Sequence, residues 1–327
     1  MRPAQRYHLY GLQVESQLPL HQNRIIAGDG PPDVVLTIGD SRPVPKDQPD
    51  GMPLADVTDD DGTRFFTFVR CADGSYVLRY YRICDFVVSA DLARVVLHQD
   101  PDADPGFAAV LAAGSLPAFL ILAGGSPLLH ASAVEIDGHA LAFVGASGMG
   151  KSTMATIMCA SGGKLITDDV LRLDLDAGSV RCILGGTETR LRKSAVELMT
   201  AFGDEASARR TSDERDALGL PPSRTERLPL DAIVVPQPAT ETDEVTLQRL
   251  SRMEALLTLS RFPRIVGWEE ASVLRQQFEF LADIVDRVPV FVGSLPWGPP
   301  FAPDLAARVL AGIDFPTRHQ ASAFGSR

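Results

Sequence analysis

Cysteine is scarce in this chain, and the four present, Cys71, Cys84, Cys159 and Cys182, stand far apart with no C-x-x-C pair. That excludes a disulfide-stapled mini-domain and fits free thiols in a reducing compartment, so a cytoplasmic protein is expected. Positive charge is also short: 31 Lys and Arg face 42 Asp and Glu, for a formal net charge of -11. Such a balance gives no global attraction for a nucleic-acid backbone or an anionic membrane; neither partner is expected, and any phosphate contacts must be local. Met1 to Leu20 lacks an apolar run and carries Arg2, Arg6 and Glu15, so it reads as neither a signal peptide nor an anchor. No internal repeat is visible.

Charge is missing altogether between Gly106 and Val134, where Phe107 to Leu122 reads FAAVLAAGSLPAFLIL. That is nearly long enough to span a bilayer. Ser115, Pro117 and the Gly124-Gly125 pair argue instead for a buried helix broken near Pro117. Apolar residues are otherwise plentiful: 45% of the 327 residues are hydrophobic and 22% charged, the profile of a soluble globular protein. The length suggests roughly two domains, and a chain of this size needs no metal or disulfide to hold it.

The first part of the chain reads as strands at Val34 to Ile38, Phe65 to Val69, Tyr76 to Tyr81, Phe86 to Val88 and Val95 to Leu97, a β-rich domain over residues 1–105. The Pro- and Asp-rich stretch from Gly39 to Gly62 is expected to be a mobile loop, with Asp59, Asp60 and Asp61 solvated. A second domain over 106–327 would begin with the apolar helix at 106–125. It would also carry a mobile excursion from Phe202 to Leu230, rich in Arg, Asp, Glu, Ser and Pro. Later come strands at Leu230 to Val235, Val245 to Leu247 and Val290 to Val292. Ser251 and Glu254 have capping-box spacing ahead of a helix, and amphipathic helices follow at Glu269 to Val288 and Ala302 to Ile313.

Chemistry concentrates after Leu128. The strand-like runs Leu128 to Ile136 and His139 to Val144 are separated by Asp137-Gly138, a favoured pair for a two-residue type I′ hairpin. In that register Ile136 opposes His139, and counting back along both strands brings His130 opposite Gly145. Gly145-Ala146-Ser147-Gly148-Met149-Gly150-Lys151-Ser152 then fits G-x-x-x-x-G-K-[ST], between an apolar strand and a helix-compatible run that continues with Thr153. The glycines let successive N–H groups turn inward onto phosphate oxygens, and the helix N-terminus adds its positive end. Lys151 would reach the outer phosphates of ATP and Ser152 would serve Mg²⁺. The competing reading, a plain glycine turn, leaves Lys151 unexplained at a helix start that disfavours positive charge.

Beyond Lys151, the run Lys164 to Thr167 ends in Asp168-Asp169, so both the glycine loop and the acidic pair leave strand ends where α/β ligands bind. A carboxylate there can hold Mg²⁺ or take a proton from an attacking hydroxyl, although Asp is also a common strand-ending turn residue. His130 is either a satisfied core histidine or part of the site's polar network. Arg190 and Arg192 could neutralise an anionic substrate, or they are ordinary surface arginines.

His130, the hairpin VEIDGHALAFVG, the loop GASGMGKS and LITDDV together resemble the HPr kinase/phosphorylase family and its relatives. The resemblance covers about Leu128 to Leu173. It implies an α/β P-loop core of the HPr kinase/PEP carboxykinase type behind the β-rich N-terminal domain, and ATP-dependent phosphorylation of a protein serine. It also implies Asp168 as general base, Asp169 and Ser152 toward Mg²⁺, Lys151 toward the phosphates and His130 in the polar network. Thr153 stands where the bifunctional enzymes continue with Glu. The opening YGLQVESQLPL and the later LPLDAIVV look more like HPr-kinase-related proteins that act on ribosomally made peptides, including lasso-peptide precursor kinases.

The expected function is therefore an ATP- and Mg²⁺-dependent transfer to a Ser or Thr hydroxyl of a peptide or small protein. A small-metabolite kinase and a non-enzymatic nucleotide switch are the alternatives, and a homo-oligomer is left open.

Overall fold

A computed structural model describes residues 3–26, 30–59, 61–176, 178–191, 198, 202, 207–212 and 215–316. By contact density the chain separates into two compact units. The first comprises Met1–Ser126, Thr211–Glu214 and Ile265–Gln276. The second comprises Pro127–Arg210, Arg215–Arg264 and Gln277–Arg327.

The first unit is built on an eight-stranded sheet. Its strands are β1 (Gln5–Leu9), β2 (Leu12–Ser16), β3 (Val34–Ile38), β4 (Met52–Thr58), β5 (Arg64–Arg70), β6 (Tyr76–Tyr80), β7 (Cys84–Val88) and β8 (Arg94–Gln99). They lie in the order β1-β2-β3-β8-β7-β6-β5-β4, antiparallel except where β3 runs parallel to β2 and β8. Alternating side chains, Leu78 and Tyr80 on β6 and Phe86 and Val88 on β7 among them, are almost fully buried, as a sheet with one covered face requires.

Two helices, α1 (Pro105–Ala113) and α2 (Ser115–Ala123), belong to this unit. The segment 106–125, grouped above with the later domain, therefore falls in the first unit. Phe119 packs edge-on against Phe68 and Tyr76, at centroid distances of 5.8 and 5.2 Å. The helical interruption is at Gly114, not Pro117: Pro117 is the third residue of α2, where the backbone N–H it lacks has no intrahelical partner to lose. By length and composition the stretch Pro105–Ala123 could cross a membrane, but about half of it is buried within the protein. The expected loop from Gly39 to Gly62 contains β4, because Leu54 and Ala55 are sealed into the core. Asp60 lies outside the described residues. Residues Ile265–Gln276 join this unit through Glu269, whose N–H donates to the Leu54 carbonyl at 2.7 Å, and through Trp268 against Phe119.

The second unit carries β9 (Leu128–Leu129), β10 (Ala131–Ile136), β11 (His139–Val144), α3 (Lys151–Ala160), β12 (Lys164–Thr167), β13 (Leu171–Asp176) and β14 (Ser179–Ile183). After these come β15 (Glu188–Leu191), β16 (Ser207–Arg210), β17 (Asp216–Gly219), β18 (Arg227–Ala239), β19 (Thr246–Arg249) and α4 (Arg252–Ser260). Helix α5 (Ala271–Arg287) begins in the first unit and ends in the second, which closes with β20 (Val290–Pro296) and α6 (Leu305–Gly312). A nine-stranded mixed sheet runs β12-β10-β11-β18-β14-β13-β9, with β20 beside β18 and β19 beyond β20.

The β10–β11 hairpin has the register expected from its turn: Ile136 opposes His139 and Ala131 opposes Val144. Asp137 and Gly138 both have positive φ, at 53° and 92°, as a type I′ turn demands. Strand β11 runs parallel to β18, which runs parallel to β20, and α3 returns the chain to β12. Leu141 and Phe143 face α3 and α6, whereas Ala140, Ala142 and Val144 face Ala255 and Leu259 of α4 and Ile284 of α5. Burial on both faces explains why HALAFV is almost uniformly apolar.

The excursion expected from Phe202 to Leu230 is instead partly sheet, since β17 pairs with β15 and β16, and Ala217 and Leu218 are fully buried.

Candidate functional site

The glycine loop leaves the carboxyl end of β11 and enters α3 at Lys151. Gly148 and Gly150 sit at φ of 90° and 86°, a left-handed conformation that glycine adopts without the penalty a side chain incurs. This tight path buries Lys151, whose Nζ donates to the Ala146 carbonyl at 3.2 Å. Burial lowers the lysine pKa; Asp169 and Asp168 oppose that, and Arg264 and Arg215 add to it. The Ala146 N–H donates to the Met149 thioether sulfur at 3.1 Å. Sulfur is a weak acceptor, and an anion would replace it readily.

Strand β12, separated from β11 by β10 and parallel to it, delivers the two carboxylates. Their surroundings differ. Asp168 is buried and accepts from Ser132 Oγ at 2.5 Å, from Ser152 Oγ at 2.8 and 3.1 Å, and from the Arg190 backbone N–H at 3.2 Å. Asp169 turns the chain with φ of 70° and is half-buried. Its Oδ1 lies 3.0 Å from His130 Nε2, and its Oδ2 accepts from Arg264 at 2.7 Å and Arg190 at 3.3 Å. Burial alone would raise the Asp169 pKa, but Arg264, His130 and Arg190 outweigh it and hold the carboxyl well below the usual range.

An open cleft is lined by His130, Ser147, Gly148, Gly150, Lys151, Ser152, Thr153, Asp169, Arg190, Leu191, Arg215 and Trp297. His130 sits at the bend between β9 and β10, one residue before the last hairpin pair, Ala131 with Val144, and lines the cleft together with the loop. Gly145, Ala146 and Met149 shape the loop behind this lining. Ser152 bonds Asp168 rather than Asp169, so the two expected metal ligands are not paired with each other. Arg192 lies outside the described residues. His139 stands apart, 3.1 Å from Asp231.

Sequence reasoning missed Ser132, Arg215, Arg264 and Trp297. Trp297 has a readable signal, because it directly follows a strand and so leaves the same sheet edge as the glycine loop. Arg264 has none, since its partner is 95 residues away.

Lys151, Arg190, Arg215 and Arg264 lie around Asp168 and Asp169, and such a gathering of basic side chains can meet a phosphate chain. No group of three or more His, Cys, Asp or Glu side chains gathers among the described residues. Mg²⁺ is nonetheless compatible, because it is held by one or two carboxylates together with substrate phosphates and water. The buried Asp168 carboxylate beside the Ser152 hydroxyl is a suitable hard-oxygen pair.

No family model and no curated protein matches the sequence. Among solved structures, the HPr(Ser) kinase/phosphatase from Coxiella burnetii is similar at 11% identity and a TM-score of 0.30, over 61% of this chain and 99% of that one.

Proposed function

We propose that this protein is a kinase of the P-loop type, its second unit an HPr kinase/PEP carboxykinase-like core. It transfers the γ-phosphoryl group of ATP, with Mg²⁺, to a Ser or Thr hydroxyl of a peptide or small protein in the cytoplasm. One observation carries the reading: a single open cleft combines a buried lysine on a glycine loop with a carboxylate–histidine pair on the lining.

The loop N–H groups, Lys151 and the arginines hold the phosphate chain. Ser152 and Asp168 hold Mg²⁺, which when bound offsets phosphate charge. This assignment exchanges the roles the resemblance implied for the two aspartates. One contact and one difference in exposure support the exchange: Ser152 bonds Asp168, and of the pair only Asp169 lines the cleft.

Asp169, oriented by His130, accepts the acceptor's hydroxyl hydrogen. As the new oxygen–phosphorus bond forms and the bond to the departing ADP breaks, the proton passes to the Asp169 carboxylate. Phosphoryl transfer proceeds through a loose transition state in which positioning outweighs base strength, so a carboxylate of low pKa is sufficient. The peptide class of acceptor follows the sequence resemblance to precursor-peptide kinases, and an open cleft admits such a chain.

The test is incubation with Mg²⁺, γ-labelled ATP and peptides encoded beside the gene. A gain of about 80 Da on a peptide Ser or Thr, absent with Lys151→Ala, supports the proposal. Transfer only to small metabolites, or tight ATP binding with no transfer, rejects the peptide reading.

A further inference from the structure

Trp297 follows β20, the strand beside β18 in the parallel set β11, β18 and β20. It therefore emerges at the same sheet edge as the glycine loop, where ligands of α/β sheets collect. Its six-membered ring presses on the loop: a Cβ at Gly150 would overlap Trp297 Cη2 and lie 2.7 Å from Cζ2. Phe301 meets the indole edge-on, with centroids 5.3 Å apart, and fixes its orientation. The ring is only partly buried, and it lines the cleft with Gly148, Gly150 and Thr153.

A nucleotide seated on the loop extends from its phosphates in two directions, toward the acceptor and toward its own base. His130 and Asp169 mark the acceptor side. Among the described lining residues, only Trp297 offers a large aromatic face.

We infer that Trp297 is the stacking platform for the nucleotide's base, an inference that rests on the phosphate-site reading above. Stacking on a π-face is tolerant of base identity but grows with ring size, so purine nucleotides bind more tightly than pyrimidine ones. Inorganic tripolyphosphate has the phosphates without the base and ignores the platform.

The experiment compares Mg²⁺-ATP, Mg²⁺-CTP and Mg²⁺-tripolyphosphate by calorimetry on the full chain, for the native protein, Trp297→Phe and Trp297→Ala. Tryptophan emission is followed in parallel. The expected result is an ATP affinity lower by on the order of tenfold in Trp297→Ala, largely retained in Trp297→Phe, with tripolyphosphate affinity unchanged. ATP, but not tripolyphosphate, should quench the native emission. Parallel loss of both ligands in Trp297→Ala would show that the ring only packs the loop and would overturn the inference, as would an unchanged ATP affinity. If the native protein binds tripolyphosphate but gains nothing from a base, the platform fails while the phosphate site stands. If it binds neither, both fail.

Discussion

Two clusters of charge, one in each unit, are put together on opposite principles. In the first unit, Arg79 and Asp85 sit on neighbouring strands and meet through two parallel bonds of 2.9 and 2.7 Å, both side chains buried. A third bond, from Arg79 to the Asp47 carbonyl at 2.7 Å, uses further donor capacity. The pair is electrically closed. In the second unit, Asp169 alone receives Arg264, Arg190 and His130, with Lys151 close by and the cluster open to the cleft. A closed pair asks for nothing further. A cluster open to the cleft leaves its basic side chains within reach of an arriving anion.

The sharpest way to break this contrast is Lys151→Ala. Removing the buried cation of the glycine loop should weaken ATP binding on the order of 100-fold or more and abolish turnover, read by calorimetry and label transfer. Retained affinity would mean that the open cluster is not a phosphate site. Next, Asp169→Asn should lower the rate of transfer by on the order of 100-fold while the protein stays folded. ATP affinity should be retained or rise, because the arginines lose a competing anion. Full turnover in that variant would rule out Asp169 as the proton acceptor. In the first unit, Arg79→Met should cost about 3–5 kcal/mol in denaturant unfolding, since it strands a buried carboxylate. Arg79→Met with Asp85→Leu should recover most of that loss, and ATP affinity should not move in either case. If the double variant stays as damaged as the single one, the closed pair contributes more than charge balance.

The open cluster was legible only in part. The glycine loop, the acidic pair and the histidine lie within a few dozen residues, and a two-residue turn fixes the register that brings His130 forward. Those are local rules, and they survive folding. Arg264 reaches Asp169 from beyond α4, a tertiary contact with no sequence period to announce it. The same limit hid β4, where proline and aspartate composition pointed to a loop but sheet pairing with β5 prevailed over local propensity. At Gly114 and Pro117 composition misleads in another way: proline breaks helix interiors, but in a helix's first turn it is tolerated, and the preceding glycine makes the break.

The smallest expected effect bears on how Arg264 is held. It lies just beyond α4, whose first turn is closed by a capping box: Ser251 Oγ accepts from the Glu254 N–H, and the Glu254 carboxylate accepts from the Ser251 N–H at 2.9 Å. Ser251→Ala should cost about 1 kcal/mol of stability, because a short helix loses one of its terminal partners. If the bonds to Asp169 alone position Arg264, ATP affinity stays unchanged despite that loss. A drop in affinity alongside the drop in stability would mean that α4 itself carries the arginine into the site. The open cluster would then depend on helix packing as much as on charge, and would stand closer to the buried pair of the first unit than the contact geometry suggests.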